Sequence, residues 1–353
     1  MAIRRDDHYA ALDGLRGIAA LSVMMFHIGR WLGVPGLATN SYLAVDFFFC
    51  LSGFVLTLAY QRRFDSGMTT IHFMIVRLNR LMPLVVLATL ISAIYVMLRS
   101  VVLLDSISFS ELGIATSLGL LGIPFLGASE SIGGPQVFPL NGPQYTLFLE
   151  FVVNFFWVAT GGVRRLLPAL AIAALGLSGL VWFGILAGDI GETFLTGFPR
   201  VLFSFYLGIC VFYVDRHVGR TWRRDTLFWA SCAVTVGIFF IPVTLPFPMQ
   251  LLWVATLSPT IVFAGAGISL NPRVARPALL LGALSYPIYI LHYPVFCWVN
   301  GIYQVVMKRP DALIESILLF VAVPVAGFIA LQVFDEPVRR ALNVRFSQRR
   351  QEA

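Results

Sequence analysis

Long apolar windows run through this chain, separated by short clusters of arginine, glycine and proline. A helix that crosses a bilayer takes about 17–25 predominantly apolar residues. Such windows fall near 12–30, 42–60, 82–104, 145–161, 167–187, 198–214, 227–245, 249–269, 278–305 and 313–335. The pattern predicts an all-α membrane protein, a polytopic bundle of about ten transmembrane helices. The segment 109–127 (FSELGIATSLGLLGIPFLG) departs from it: the glycines, Pro124 and the early Glu111 predict a re-entrant or interfacial element in place of an eleventh span. No hydrophilic stretch exceeds about 20 residues, so 1–353 reads as a single transmembrane domain with a basic cytoplasmic tail at 336–353. The longest connection, about 105–144, closes with SESIGGPQVFPLNGP. Rich in Gly and Pro and next to the start of the fourth span, it is the candidate lid or acceptor-binding loop.

Charge assigns the sides. Basic residues collect on the cytoplasmic side of membrane proteins. With the N-terminus inside, Arg4, Arg5, Arg62, Arg63, Arg77, Arg80, Arg164, Arg165, Arg216, Arg220, Arg223, Arg224, Arg273, Arg276 and five tail arginines from Arg339 to Arg350 fall inside. That is nineteen, against four outside: Arg30, Arg99, Lys308 and Arg309. The asymmetry predicts both termini in the cytoplasm and an even number of spans. Arg164–Arg165, Arg223–Arg224 and the tail arginines read as topology anchors. The net charge of +7 then reflects topology and attraction to anionic membrane lipids, and no nucleic-acid partner is expected.

Composition agrees with the pattern. At 58% hydrophobic and 12% charged, with a mean hydropathy of +0.83, the chain holds more apolar side chain than a soluble domain of 353 residues could bury. Cys50, Cys210, Cys232 and Cys297 sit in apolar windows without disulfide or metal spacing, so small core residues and no metal are expected. The basic start and following apolar run mimic a secretory signal. Arg16 and His27 interrupt that run and no small-residue cleavage site follows, so the segment is expected to remain as the first span.

Ionisable residues inside spans are costly and point to function. Ten residues separate Arg16 from His27. Eleven helical steps advance about 16 Å and turn through close to three whole turns, so both side chains leave one face. Counting depth at about 1.5 Å per residue, His27, Asp46, Glu150, Arg200 and His292 fall in an outer band although they come from five different spans. An inner band holds Asp13, Arg16, Arg77, Arg80 and the run Asp335-Glu336-Pro337. Arg77 and Arg80, three apart on a helix, could grip a phosphate together. Each has an ordinary alternative. His27 and His292 could be histidines bonded to neighbouring helices, Asp46 could pair with a cation or cap a helix, and Arg77 and Arg80 could be membrane anchors.

The two bands suggest a mechanism. Histidine is the commonest positioned general base, and its unperturbed pKa suits proton removal near neutral pH. With Asp46 or Glu150 orienting it, His27 could take a proton from an acceptor hydroxyl, whose oxygen would attack an acyl thioester delivered from the cytoplasmic side. The spacing of Arg16 and His27 suits a donor with a charged head inside and a thin arm reaching outward.

Five segments, in order, are similar to those of the acyltransferase-3 family of integral-membrane O-acyltransferases. LDGLRGIAALSVMMFHIGRW resembles its opening helix, with the Arg-x10-His pair at Arg16 and His27; LAVDFFFCLSGFVL resembles its VDxFFxLSGF segment, placing Asp46, Ser52 and Gly53. RLNRLMP is similar to RxxRxxP, at Arg77, Arg80 and Pro83. LSYPIYILHYPV resembles SYxxYLxHxP, at Ser285, Tyr286, Tyr289, His292 and Pro294, and FDEPVRR resembles the terminal ExPxRR, at Glu336, Pro337, Arg339 and Arg340. One departure stands out. Where the family commonly reads WSLxxE, this chain has Tyr145-Thr146-Leu147 and then Glu150, so the glutamate is kept and the Trp-Ser is not.

The resemblance implies transfer of an acyl group, commonly acetyl, from cytosolic acyl-CoA to a hydroxyl of a carbohydrate. The acceptor would be a surface polysaccharide, lipopolysaccharide, lipid-linked glycan or glycosylated metabolite of the cell envelope. It places the chain in a bacterial inner membrane. His27 would be catalytic, with Asp46 and Glu150 beside it. Arg16, Arg77, Arg80 and Glu336 would hold or support the CoA donor, and Ser52, Tyr289 and His292 would support the substrate. A secondary transporter or channel for a glycan or lipid-linked sugar is the competing class, since polar residues at two depths and Gly/Pro-broken spans also suit transport. No internal repeat in the span pattern favours it.

Overall fold

The computed structural model describes residues 9–102, 106–218, 224–307 and 310–351. Arg4, Arg5, Arg220, Arg223, Lys308 and Arg309 of the charge count lie outside the described residues. So do Leu103 and Leu104 of the third predicted span, Asp105 of the long connection, Glu352 and Ala353 of the tail, and the side chains of Arg345, Arg349 and Arg350.

Each predicted span is helical through most of its described residues. In chain order the helices are α1 (Ala10–Leu32), α2 (Ala44–Asp65), α3 (Thr70–Val102), α4 (Phe109–Leu121), α5 (Gln144–Ala159), α6 (Leu166–Phe183) and α7 (Gly197–Val218). They continue with α8 (Arg224–Phe239), α9 (Phe247–Leu252), α10 (Ser258–Gly265), α11 (Pro272–Val306), α12 (Ala312–Ala330) and α13 (Glu336–Gln351). Single π turns at Trp253–Leu257 and Leu331–Asp335 join α9 to α10 and α12 to α13. The chain is thus an all-α polytopic membrane protein, with eight helical segments long and apolar enough to cross a membrane among the described residues.

One predicted span is shorter than expected. α5 has 16 residues, about 24 Å of helix against the ~30 Å hydrocarbon core. α4, in the segment expected to be re-entrant or interfacial, has 13 residues, about 20 Å. The Ser108 side chain caps its first turn, and Gly122 ends it in the left-handed conformation (φ +70°) that glycine adopts without a Cβ penalty. The third helix differs in the other direction. α3 begins at Thr70, twelve residues before the apolar window, because its first turns carry Arg77, Asn79 and Arg80 and still complete their backbone hydrogen bonds as helix.

The chain forms two compact units. The first contains α1, α2, α5 from Val152, α6 to α10, and α11 as far as Tyr286. Its helices meet backbone to backbone at glycines, the usual way of packing helices where lipid removes any hydrophobic drive between them. A Cβ on Gly53 of α2 would lie 2.0 Å from the Phe205 carbonyl oxygen of α7, and one on Gly208 of α7 would lie 1.9 Å from that of Cys50. On α1, a Cβ on Gly17 would stand 2.5 Å from the Leu281 carbonyl oxygen of α11. Between helices, the buried Asn40 side chain donates to the carbonyls of Ile238, Ile241 and Val243 and accepts from the Leu245 amide, tying two connections together.

The second unit contains α3, α4, α5 to Phe151, residues 189–194, α11 from Pro287, α12 and α13. Trp298 of α11 donates its indole N–H to the Ile91 carbonyl of α3 at 3.1 Å. The connection after α4 is an ordered structure. Phe125 N–H bonds the Val137 carbonyl at 2.8 Å, Val137 N–H bonds that of Asp189 at 2.9 Å, and Glu111 accepts from the Ser129 amide and hydroxyl. Ile132 and Leu140 of this connection are buried against Val96, Leu112 and Ala115.

Candidate active site

In the first unit, α1 runs unbroken from Arg16 to His27, so the eleven-step spacing holds on one straight element. Arg16 is clamped against α11: its Nε donates to Ser285 Oγ at 2.8 Å and its Nη2 to the Gly282 carbonyl at 2.7 Å, with Asp13 Oδ1 3.2 Å away. The first and fourth family-like segments therefore touch. The Arg16 side chain keeps 29% of its surface exposed, so a planar cation with several N–H donors is presented from a fixed position, the geometry that suits phosphate. His27 is half-buried and stacks on Trp31 with centroids 5.0 Å apart, Phe26 meeting its ring edge-on at 5.0 Å. Those two rings fix the imidazole plane.

Asp46 is held by a buried arginine and a serine of α7. It is fully buried in the first turn of α2, and its carboxylate accepts from Arg200 Nη2 at 2.7 Å, Arg200 Nε at 3.1 and 3.2 Å, and Ser204 Oγ at 3.0 Å. Arg200 also donates to the Tyr42 carbonyl at 3.2 Å. The expectation that Asp46 and Arg200 share one depth is met by direct contact. The carboxylate is the counter-ion of a buried arginine that could not otherwise sit there. Ser52, half-buried on the same helix, adjoins the Gly53 contact with α7.

The second unit holds the remaining candidates. Arg77 is buried and its Nη2 bonds Glu150 Oε1 directly. This corrects the two-band scheme, which put Arg77 near the inner surface and Glu150 near the outer one. The direct ion pair puts Arg77 of α3 and Glu150 of α5 at one level, each in the early turns of its helix. Arg77 and Arg80, the expected phosphate pair, sit in different surroundings. Arg77 is committed to a carboxylate inside the unit, while Arg80 is exposed.

Tyr289 and His292 are drawn into structure. The Tyr289 hydroxyl shares a hydrogen bond of 2.9 Å with Thr146 Oγ1, and His292 Nδ1 lies 2.6 Å from the Tyr289 carbonyl, which assigns the proton to Nδ1. Asn141 Nδ2 donates to the Ile290 carbonyl at 3.1 Å. At the departure Tyr145-Thr146, the threonine hydroxyl supplies the contact to Tyr289. At the C-terminal end, Glu336 is a partly exposed partner of Arg340 at 2.7 Å. The buried carboxylate is its neighbour Asp335, 3.1 Å from Arg339, with Oδ1 unpartnered and Arg80 near enough to act on its charge.

Among the buried polar groups that the hydropathy pattern did not single out are Glu315 and Ser204. Glu315, 1% exposed on α12, accepts from Asn300 Nδ2 of α11 at 2.7 Å. The criterion that singled out Glu150, a lone carboxylate in an apolar window, picks out Glu315 equally. Ser204, one turn after Arg200, offered no such signal.

Known proteins identify the family. A sequence model described as an acyltransferase domain, acyltransferase-3, matches residues 9–333. Protein 2 in the picA locus of Rhizobium radiobacter is 35% identical over 189 residues, 48% of this chain and 93% of that protein. A protein of Komagataeibacter xylinus, provisionally named membrane-bound transacylase BcsY, is 27% identical over 334 residues, 88% of this chain and 78% of its own length. A Staphylococcus aureus protein, provisionally named O-acetyltransferase SACOL0978, is 36% identical over 83 residues, 23% of this chain and 13% of that protein. No solved structure matches. On the match over 9–333, the chain belongs to the acyltransferase-3 family and is a membrane O-acyltransferase.

Proposed function

We propose that this protein moves an acetyl group from cytosolic acetyl-CoA to a hydroxyl of a carbohydrate acceptor of the cell envelope, in a bacterial inner membrane, with His27 as the general base. The observation that carries this reading is the unbroken α1 helix bearing a clamped, partly exposed Arg16 and a ring-stacked His27 about 16 Å apart on one face. Arg16 binds the anionic head of the donor. The exposed Arg80 is suited to the same chemical class.

In the reaction, His27 takes the proton of the acceptor O–H as that oxygen attacks the thioester carbonyl. The C–S bond breaks, the new C–O ester bond forms, and the coenzyme A thiolate leaves and is protonated by the imidazolium. The buried pairs Asp46–Arg200 and Arg77–Glu150 supply rigidity and take no proton in this scheme. The acetyl group agrees with the name of the Staphylococcus relative, an O-acetyltransferase, and the glycan acceptor with the family resemblance.

The test uses purified protein in lipid nanodiscs with acetyl-CoA and glycan fractions of the cell envelope. Transfer is read as a gain of one acetyl mass on the glycan and release of free thiol. His27→Ala is expected to lower turnover by about 10²–10⁴-fold, the usual contribution of a positioned base. Full transfer by a well-folded His27→Ala protein would refute the assignment, and sugar flux into proteoliposomes without a donor would favour transport.

A further inference from the structure

The second unit contains a cavity of about 260 Å³ between the C-terminal half of α3, the connection after α4 and α11. Its polar lining comes from Ser92, Tyr95 and Arg99 of α3, Glu130 of the connection, and Tyr293 and Asn300 of α11. None of these residues has a part in the reaction above. The connection is the one whose composition marked it as a lid or acceptor-binding loop.

Each wall of the cavity is fixed by contacts outside it. Asn300 gives its Nδ2 to the buried Glu315, which orients the amide and leaves its carbonyl oxygen as the atom available. Tyr95 is held by Trp298, with ring centroids 5.7 Å apart, and lies in a space that exists because residue 301 is glycine: a Cβ there would stand 2.9 Å from the Tyr95 ring. Arg99 donates to the Ser131 carbonyl at 2.6 Å, pinning the connection against α3. Gly133, at φ +110°, turns the chain where any Cβ would meet the Pro139 carbonyl oxygen at 2.1 Å. Against this rigid frame, Ser92 is 1% exposed and its Oγ has no partner. A buried hydroxyl without a hydrogen bond is unfavourable, and a ligand that supplied the bond would recover that loss.

Size, charge and chemistry narrow the ligand. The volume falls just below the roughly 300–1,000 Å³ of sites for drug-sized molecules, so it admits one ring and no longer chain. One arginine and one glutamate leave the lining without net charge, which disfavours a phosphate or carboxylate. Hydroxyl groups, an amide oxygen, a carboxylate and N–H donors beside Tyr95, Tyr293 and Phe296 match a molecule that is both polyhydroxylated and ring-faced. We infer that this cavity binds a neutral hexose ring, a subsite for one sugar of the acceptor. The identity of that sugar as acceptor rests on the acyl-transfer reading, whereas its binding does not.

The experiment uses full-length protein in nanodiscs, free of sugar-headed detergent, and the methyl glycosides of glucose, galactose and mannose as probes. Saturation-transfer NMR reads their binding, and acetyl-CoA hydrolysis without acceptor is measured in parallel. At least one glycoside is expected to bind wild type. Ser92→Leu, which fills the cavity, and Glu130→Ala, at its exposed rim and safe for folding, are each expected to weaken it about tenfold while thioester hydrolysis stays unchanged. Binding by none of the three, or binding undiminished in Glu130→Ala and in folded Ser92→Leu, overturns the subsite. Sugar binding that responds to both substitutions in a protein unable to cleave acetyl-CoA upholds the subsite and refutes the acyl-transfer reading instead.

Discussion

Replacing Asp46 with asparagine separates a structural carboxylate from a catalytic one. The substitution keeps shape and removes the charge that faces Arg200, itself 2% exposed. Three guanidinium contacts and one from Ser204 converge on this carboxylate. Removing one member of a buried ion pair costs about 3–5 kcal/mol, because the survivor is left charged and uncompensated. At ~2 °C per kcal/mol, the low end for large domains, the melting temperature should fall by roughly 6–10 °C. The double variant Asp46→Leu/Arg200→Met removes both charges and should recover most of that loss. Thermal unfolding in nanodiscs, followed by fluorescence, measures all three proteins. Turnover of folded Asp46→Asn below its melting point should stay within about tenfold of wild type. If instead stability were untouched and kcat fell ~10⁴-fold, as when the carboxylate behind a catalytic histidine is lost, Asp46 would be the partner of His27 and the assignment here would be wrong.

Further outcomes follow from particular contacts. Gly208→Ala puts a Cβ 1.9 Å from a backbone oxygen that cannot yield, so a loss of more than about 3 kcal/mol or failure to fold is expected, read by melting temperature and yield. Gly113→Ala on α4 meets nothing and should be neutral or stabilising by up to ~1 kcal/mol. Arg16→Lys replaces a fork serving Ser285, Gly282 and Asp13 with one ammonium; the KM for acetyl-CoA should rise about tenfold with a smaller change in kcat. At the end of the chain, Asp335→Asn should cost roughly 1–3 kcal/mol because its partner Arg339 is reached from a buried position, while Glu336→Gln, in an exposed pair, should stay within about 0.5 kcal/mol. Equal effects of the two would contradict the burial difference.

The helices were legible in the sequence because lipid leaves a spanning segment few alternatives to helix, so an apolar window and a helix nearly coincide. The Arg16–His27 geometry was legible for the same reason: it depends on one helix being continuous. Depth was harder to read. Hydropathy placed the start of the third span at residue 82 because Arg77, Asn79 and Arg80 depress the average, whereas the helix itself begins at Thr70. A charge that finds its partner 73 residues away, as Arg77 finds Glu150, is polar to a window and nearly neutral in the fold. Likewise, nothing in FDEP says which acidic residue turns inward. The π turn at Leu331–Asp335 inserts the extra residue that buries Asp335 and leaves Glu336 outside.

The seat of α1 on α11 limits how this enzyme can be regulated. Sliding one helix past another by a single turn is a common switching move. Here a slip of four residues would bring Asp13 or Leu21 to the point where Gly17 now faces the Leu281 carbonyl, and neither fits a gap too small for one Cβ. α1 therefore has one permitted register, and Arg16 one permitted address on α11. A signal that turned this protein on or off would have to act by rotamer, ligand or loop, because the ratchet is locked.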